Sequence, residues 1–157
     1  MEAVLKEIYI ESILLIERLH RRFLDIIKTE LERLKIEDIN NVQTLILYNI
    51  SNEQLTIGEL TNRGYYLGSN VSYNVKKLVE NNYLMQEPSP HDRRSTRISL
   101  SPKGKELCAK IDALYQRHLE GLQKGEPGID ALKSLTGIMN QLERFWTECV
   151  NSAYRIK

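Results

Sequence analysis

Apolar residues recur every three or four positions from Val4 to Leu34, at Leu5, Ile8, Leu15, Ile16, Leu19, Phe23, Ile26, Ile27, Leu31 and Leu34, a spacing that predicts one long amphipathic helix. Thirty residues of helix reach roughly 45 Å, more than the width of a compact domain of this size, so part of the stripe is expected to require a second chain. Two further stripes occupy the other end of the sequence. One runs from Pro102 to Lys124 through Leu107, Ile111, Leu114, Tyr115, His118, Leu119 and Leu122, and stops at Gly125-Glu126-Pro127-Gly128. The other runs from Ile129 to Tyr154 through Leu132, Leu135, Ile138, Met139, Leu142, Phe145, Trp146 and Val150.

The middle of the chain has a shorter rhythm. Asn40 or Asn41 can cap a helix that ends near Ile50. Leu55-Thr56-Ile57 is a short extended piece, and Thr56 with Glu59 has the spacing of a capping box for a helix from Ile57 to Arg63, stopped by Gly64. After the connector Tyr65-Tyr66-Leu67-Gly68, Ser69 can cap a helix with Val71, Val75, Leu78 and Val79 inward and Ser69, Tyr73, Lys76, Lys77 and Glu80 roughly outward. Asn81 and Asn82, which tolerate the left-handed conformation, end it. Tyr83 to Glu87 and the alternating Thr96 to Leu100 predict a β-hairpin whose long loop is Pro88 to Ser95. Ser101-Pro102 then opens the next helix as N-cap and first turn. Helix, turn, helix and two-stranded hairpin follow one another in the order of a winged helix-turn-helix.

Composition narrows the classes. The chain has 157 residues, 41% hydrophobic and 27% charged, enough for a single domain with a true core. Its longest apolar run, Ile13 to Ile16, is far short of a membrane span, and Glu2, Lys6, Glu7 and Glu11 interrupt any signal-peptide core, so no membrane association and a cytoplasmic location are expected. Net charge is only +1, but residues 63 to 105 hold eight bases (Arg63, Lys76, Lys77, Arg93, Arg94, Arg97, Lys103, Lys105) against Glu80, Glu87 and Asp92, a local +5 against −4 elsewhere. Phosphate contact requires local positive charge, so a nucleic acid is the expected partner, and the winged helix-turn-helix order makes double-stranded DNA the expected form.

The side-chain types agree. Ser69, Asn70, Ser72, Tyr73, Asn74, Lys76 and Lys77 supply hydroxyl, amide and ammonium groups for base edges and phosphates along the second helix, with the helix N-terminus an additional phosphate site. Arg93, Arg94 and, on the returning strand, Arg97 put guanidinium groups on the hairpin, where a narrow minor groove attracts them. Asp92 is expected to bond the Arg94 guanidinium and fold the loop, leaving Arg93 freer for DNA. His20, His91 and His118 share no ligand spacing with each other or with the cysteines, so neither metal nor cofactor is expected; with no nucleophile, phosphate-loop or dinucleotide motif, neither is an enzyme. Cys108 and Cys149 are read as buried packing residues.

Ile57-Gly58-Glu59-Leu60, the run Asn70 to Leu78 and above all Asp92-Arg93-Arg94 through Leu100-Ser101-Pro102-Lys103-Gly104 resemble the MarR family of bacterial winged-helix regulators. The last run is similar to that family's D-x-R wing and the L-T-x-x-G start of its next helix. The resemblance implies a mainly α fold with a small β-hairpin wing: an N-terminal dimerisation helix in 1–38, the winged helix-turn-helix in 39–101 and two C-terminal dimerisation helices in 102–157. It further implies a homodimer on a pseudo-palindromic operator, acting as a repressor that responds to a small aromatic or anionic effector. Leu15, Leu19, Thr44, Tyr48, Tyr65 and Tyr66 are the effector candidates by this resemblance, although Tyr65 and Tyr66 are equally read as core fillers. Asn82 stands where the family usually has Gly, and the Gly- and Tyr-rich connector departs from its pattern. The alternative from another class is a helical dimeric adaptor that uses its winged helix to bind protein.

Overall fold

A computed structural model of the chain describes residues 1–63, 68–92, 94–125 and 127–155, the side chains of Gly68, Ser69, Tyr154 and Arg155 excepted. The described elements are α1 (Glu2–Arg33), α2 (Asn41–Ile50), β1 (Leu55–Thr56), α3 (Ile57–Asn62), α4 (Gly68–Glu80), β2 (Leu84–Pro88), β3 (Thr96–Leu100), α5 (Pro102–Gln123) and α6 (Ile129–Arg155). They fall into two compact units, Met1–Asp112 and Ala113–Lys157.

Local chemistry sets the ends of these elements. Lys35 takes a left-handed φ of 55°, so its amide bonds the Glu32 carbonyl while the Ile36 amide reaches Leu31 at 3.0 Å. This pair of bonds closes α1. Asn40 caps α2: its side chain accepts the Gln43 amide, and the Gln43 side chain accepts the Asn40 amide in return. Thr56 and Glu59 make the same reciprocal box on α3, as their spacing predicts. Asn82, with φ of 63°, ends α4 by the device that ends α1: its amide bonds Val79 and the Tyr83 amide bonds Leu78 at 2.8 Å. The helix therefore stops where the two asparagines place its end. At its other end α4 begins at Gly68, which puts the expected cap Ser69 inside the first turn.

The sheet has three strands rather than two, in the order β1-β3-β2, all antiparallel. Leu55 faces Ile98 and Thr56 faces Arg97, so the short piece before α3 ties the helix-turn-helix to the wing. On the other side of β3, Leu84 pairs with Leu100 and Pro88 with Thr96. Tyr83 lies before the hairpin strand instead of opening it, because its amide and carbonyl serve the turn out of α4 and the entry to α5.

The core of the first unit collects Ile27 and Leu31 of α1, Ile46, Leu47 and Ile50 of α2, Leu60 of α3, Val71, Val75 and Leu78 of α4, Ile98 and Leu100 of β3 and Leu107 and Ile111 of α5, all buried. Each fully buried aliphatic side chain contributes about 1.5–3 kcal/mol. The inward face of α4 is thus Val71, Val75 and Leu78, with Val79 half-buried at its edge. By contrast Val4, Leu5, Ile8, Leu14, Leu15 and Leu19 of α1 are exposed. In the second unit, Ile129, Leu135, Ile138, Met139, Phe145 and Val150 of α6 are exposed too. Cys149 belongs to that uncovered stripe, one helical turn from Trp146 and two from Leu142, and is exposed rather than buried.

The exit of α4 and the entry of α5 meet at one crowded point. Ser101 caps α5 by accepting the Gly104 amide at 3.0 Å, donates its hydroxyl to the Asn82 carbonyl at 2.6 Å and bonds Tyr83 O through its own amide. A Cβ on Gly104 would stand 2.3 Å from the Tyr83 carbonyl oxygen, a clash with main chain that no rotamer relieves. Gly104→Ala is therefore expected to cost about 1–3 kcal/mol. At about 2–4 °C per kcal/mol for a chain of this length, thermal unfolding at fixed protein concentration should show a clear drop in Tm.

Candidate nucleic-acid interface

Burial of Val71, Val75 and Leu78 fixes which side of α4 faces water. On that side Asn70, Ser72, Tyr73 and Lys76 are exposed, Tyr73 at 61% for all its size. Lys77 is half-buried and donates to the Glu80 carboxylate at 2.9 Å, which raises its pKa and lowers that of Glu80. Asn74 turns the other way from the expected base contact. Its Oδ1 accepts from Gln43 Nε2 at 3.2 Å and its Nδ2 donates to the Asn70 carbonyl at 2.9 Å. Gln43 is itself buried, so one side chain both caps α2 and holds the middle of α4. The Asn40-x-x-Gln43 spacing signals the cap; the second bond spans 31 residues and leaves no local trace.

The wing loop folds through main chain. Asp92 Oδ1 accepts the Arg94 backbone amide at 2.9 Å, its carbonyl accepts both the amide and hydroxyl of Ser95, and Ser89 N bonds Ser95 O. The expected bond from Asp92 to the Arg94 guanidinium is not the one formed, because an aspartate reaches the amide two residues on more readily than a long side chain it would have to immobilise. Arg94 is exposed on this tip. Arg97 is different: it is half-buried on β3 between Thr56 and Glu87, with its Nε buried and without a hydrogen-bond partner. Its charge is felt at Glu59, whose carboxyl is held below the usual range first by the Thr56 amide and then by the Thr56 hydroxyl, Arg97 and Arg63. Arg93 and the Ser69 side chain lie outside the described residues.

The effector candidates are scattered. Leu15 and Leu19 are exposed on α1. Leu19 borders a cleft of about 660 Å³ with Arg18, Arg21, Arg22, Leu24, Asp25 and Asn41. Thr44 is buried and donates to Asn40 O at 2.8 Å, a bond within its own helix. Tyr48 donates to Asp112 at 2.6 Å beside a cleft of about 300 Å³ that also touches Lys105 and Cys108. Burial, helped by Asp112, pushes the Cys108 thiol up to about 11, which disfavours the thiolate at neutral pH. Tyr65 and Tyr66 lie outside the described residues.

An exposed polar helix face beside a basic β-hairpin defines a winged-helix DNA-binding protein. Residues 39–104 match the family described as the winged helix DNA-binding domain. The chain is 36% identical over 138 residues to the exopolysaccharide II synthesis transcriptional activator ExpG of Rhizobium meliloti (strain 1021), covering 88% of this chain and 71% of that protein. Among solved structures it is similar to Staphylococcus aureus MarR in complex with salicylate and kanamycin, with TM-score 0.73, 24% identity, 92% of this chain and 94% of that one. It is also similar to Streptococcus pneumoniae FabT in complex with DNA, with TM-score 0.73, 15% identity, 90% of this chain and 99% of that one. The chain belongs to the family of winged-helix DNA-binding transcriptional regulators that includes the Rhizobium meliloti activator, and it has the fold of the MarR structures. It is a DNA-binding transcriptional regulator.

Lys76 and Lys77 differ in a way that salt dependence can read. Lys76→Ala should weaken binding to all duplexes and lower the slope of log affinity against log salt by about 1 per protomer, as the loss of one phosphate contact does. Lys77→Ala should change the slope less, since Glu80 already neutralises that ammonium. Slopes unchanged from the parent in both variants would place the phosphate contact elsewhere on α4, and an equal drop in both would give Lys77 a phosphate of its own.

Proposed function

We propose that the chain works as a homodimer whose paired α4 helices read two half-sites about one turn, roughly 34 Å, apart on a pseudo-palindromic operator. The observation that carries this reading is α4 itself: Asn70, Ser72, Tyr73 and Lys76 exposed above a buried Val71-Val75-Leu78 seat, with Arg94 exposed on the adjoining wing. Ser69, Lys77 and Arg93 join these as contact residues by their place in the sequence, while Asn74 and Arg97 serve more through how they hold α4 and β3. The chain acts by binding rather than by catalysis, in the cytoplasm where its DNA partner lies; no helix among the described residues is long and apolar enough to cross a membrane.

The apolar stripes supply the argument for two copies. Leu5, Ile8, Leu15 and Leu19 on one helix and Ile138, Met139, Phe145 and Val150 on another are too many large apolar side chains to leave in water. Leu15→Glu combined with Ile8→Glu should shift sedimentation from dimer to monomer and abolish operator binding. A dimer that survives both substitutions would remove α1 from the interface.

A small aromatic anion is the effector class we favour. The Staphylococcus aureus neighbour is described with salicylate, and the Leu19 cleft here joins an apolar wall to Arg18, Arg21 and Arg22. Such a ligand acts only by favouring one spacing of the two α4 helices over another. Repression follows where the operator overlaps a promoter. Activation, the role in the name of the Rhizobium meliloti relative, follows where it lies upstream.

Selection of bound duplexes from a random DNA pool tests the reading. Enrichment of an inverted repeat with half-sites about one turn apart is expected. A folded dimer that enriches no sequence and shows a flat salt response with any duplex would favour the protein-binding adaptor instead.

A further inference from the structure

We propose that Asp38 is a positioning residue for sequence readout, a three-way clamp that ties the C-terminal end of the recognition helix α4 to the segment leaving α1 and to the first turn of α5. The inference rests on the DNA-binding role of α4.

Asp38 lies in the short connection between α1 and α2, five residues after the end of α1. Its Oδ1 accepts the Tyr83 hydroxyl at 2.6 Å and its Oδ2 accepts Lys103 Nζ at 2.5 Å. Its backbone carbonyl accepts Asn81 Nδ2 at 2.8 Å. Lys103 closes the ring by donating to the Asn81 carbonyl at 2.9 Å and by lying 4.1 Å over the Tyr83 ring. All of these contacts except the Asp38–Lys103 pair itself end on Asn81 or Tyr83, just past the end of α4.

The partners are unequal in what they require. Tyr83 is buried, 2% exposed, so its hydroxyl must find an acceptor, and Asp38 provides it. The Asp38–Lys103 pair is nearly half exposed on both sides, a poor source of stability by itself. Burial alone would push the Asp38 carboxyl up; bonds from Lys103 and Tyr83 outweigh it and hold the carboxyl below its usual range. What the arrangement supplies is direction. A helix of 13 residues is about 20 Å long, so a tilt of about 3° at its clamped end moves its N-terminal turn by about 1 Å. Hydrogen bonds to base edges do not survive such a shift, whereas attraction to phosphates does.

Electrostatics and positioning predict opposite signs, which makes the test sharp. Removing a carboxylate from a DNA-binding protein raises its affinity for any duplex if charge is all that matters. For Asp38→Ala in the full-length chain we expect about tenfold weaker binding to the duplex selected from the random pool, the size of one lost base contact. Affinity for an unrelated duplex should be equal or slightly higher, and the salt slope retained. Tyr83→Phe, which alters no charge, should lose affinity for the selected duplex in the same way, and Asp38→Asn, which keeps an acceptor for Tyr83, should fall between. Amide exchange of residues 78–83 in the absence of DNA should speed up in all three. The proposal is overturned if Asp38→Asn and Tyr83→Phe both bind the selected duplex as the parent does, if they lose equally on both duplexes, or if exchange at the end of α4 is unchanged. Should Asp38→Ala fail to fold, the two milder variants decide. Should no duplex be selected at all, the DNA reading fails separately while the exchange measurement still decides the clamp.

Discussion

The polar face that α4 offers to solvent depends on seating one short helix by a narrow apolar strip. Val71, Val75 and Leu78 leave α4 one buried face, and that face alone determines that Asn70, Tyr73 and Lys76 look outward. Three aliphatic contacts resist withdrawal of the helix but resist rolling and tilting poorly, because apolar burial has no preferred direction. The polar bonds around α4 fit that deficiency. Gln43 holds Asn74 at the middle, the Asn82 turn and Ser101 hold the exit, and Asp38 with Lys103 holds Asn81 and Tyr83. Hydrogen bonds are directional, so they set the angle that burial leaves free.

The same division sorts the basic residues of the central segment. Arg63 pairs with Glu53, Lys77 with Glu80 and Lys103 with Asp38, each serving a local joint. Lys76, Lys105 and the exposed Arg94 have no ion pair among the described residues. A count of charge along the sequence therefore overstates what is offered to phosphate. The useful quantity is the number of cations left after internal pairing, and salt dependence measures it directly.

Element boundaries were legible because they are set by neighbours in sequence. The Thr56-x-x-Glu59 box, the Asn82 turn and the Ser101-Pro102 start all appear where local spacing puts them. The alternation of Thr96 to Leu100 likewise identifies β3, whose Ile98 and Leu100 are buried. The extended piece at Leu55-Thr56 was legible, but its place in the sheet was not, since two residues carry no period and acquire a ladder only when β3 arrives beside them. The bond that Asn74 accepts from Gln43 was hidden for the same reason, since the amide that gives it comes from another helix. Asp38 gave no signal at all. Its partners stand 43 to 65 residues away, and only the folded chain brings one of the connector's two acidic residues, Asp38 rather than Glu37, against a tyrosine and a lysine.

The place of Asp38 in the chain links the reading head to the long helix before it. Of α1's 32 residues, about 48 Å of helix, only Ile27, Glu30 and Leu31 are buried, all in its last two turns, while Leu5, Ile8, Leu14, Leu15 and Leu19 towards the other end are exposed. The short connector that leaves these buried turns carries Asp38, and Asp38 grips the end of α4. α1 is thus joined to α4 in two ways, by the core that Ile27 and Leu31 share with Val71, Val75 and Leu78 and by the hydrogen bonds of Asp38. The core fixes how far apart the two helices lie, and the directional bonds of Asp38 fix the angle between the connector and the end of α4.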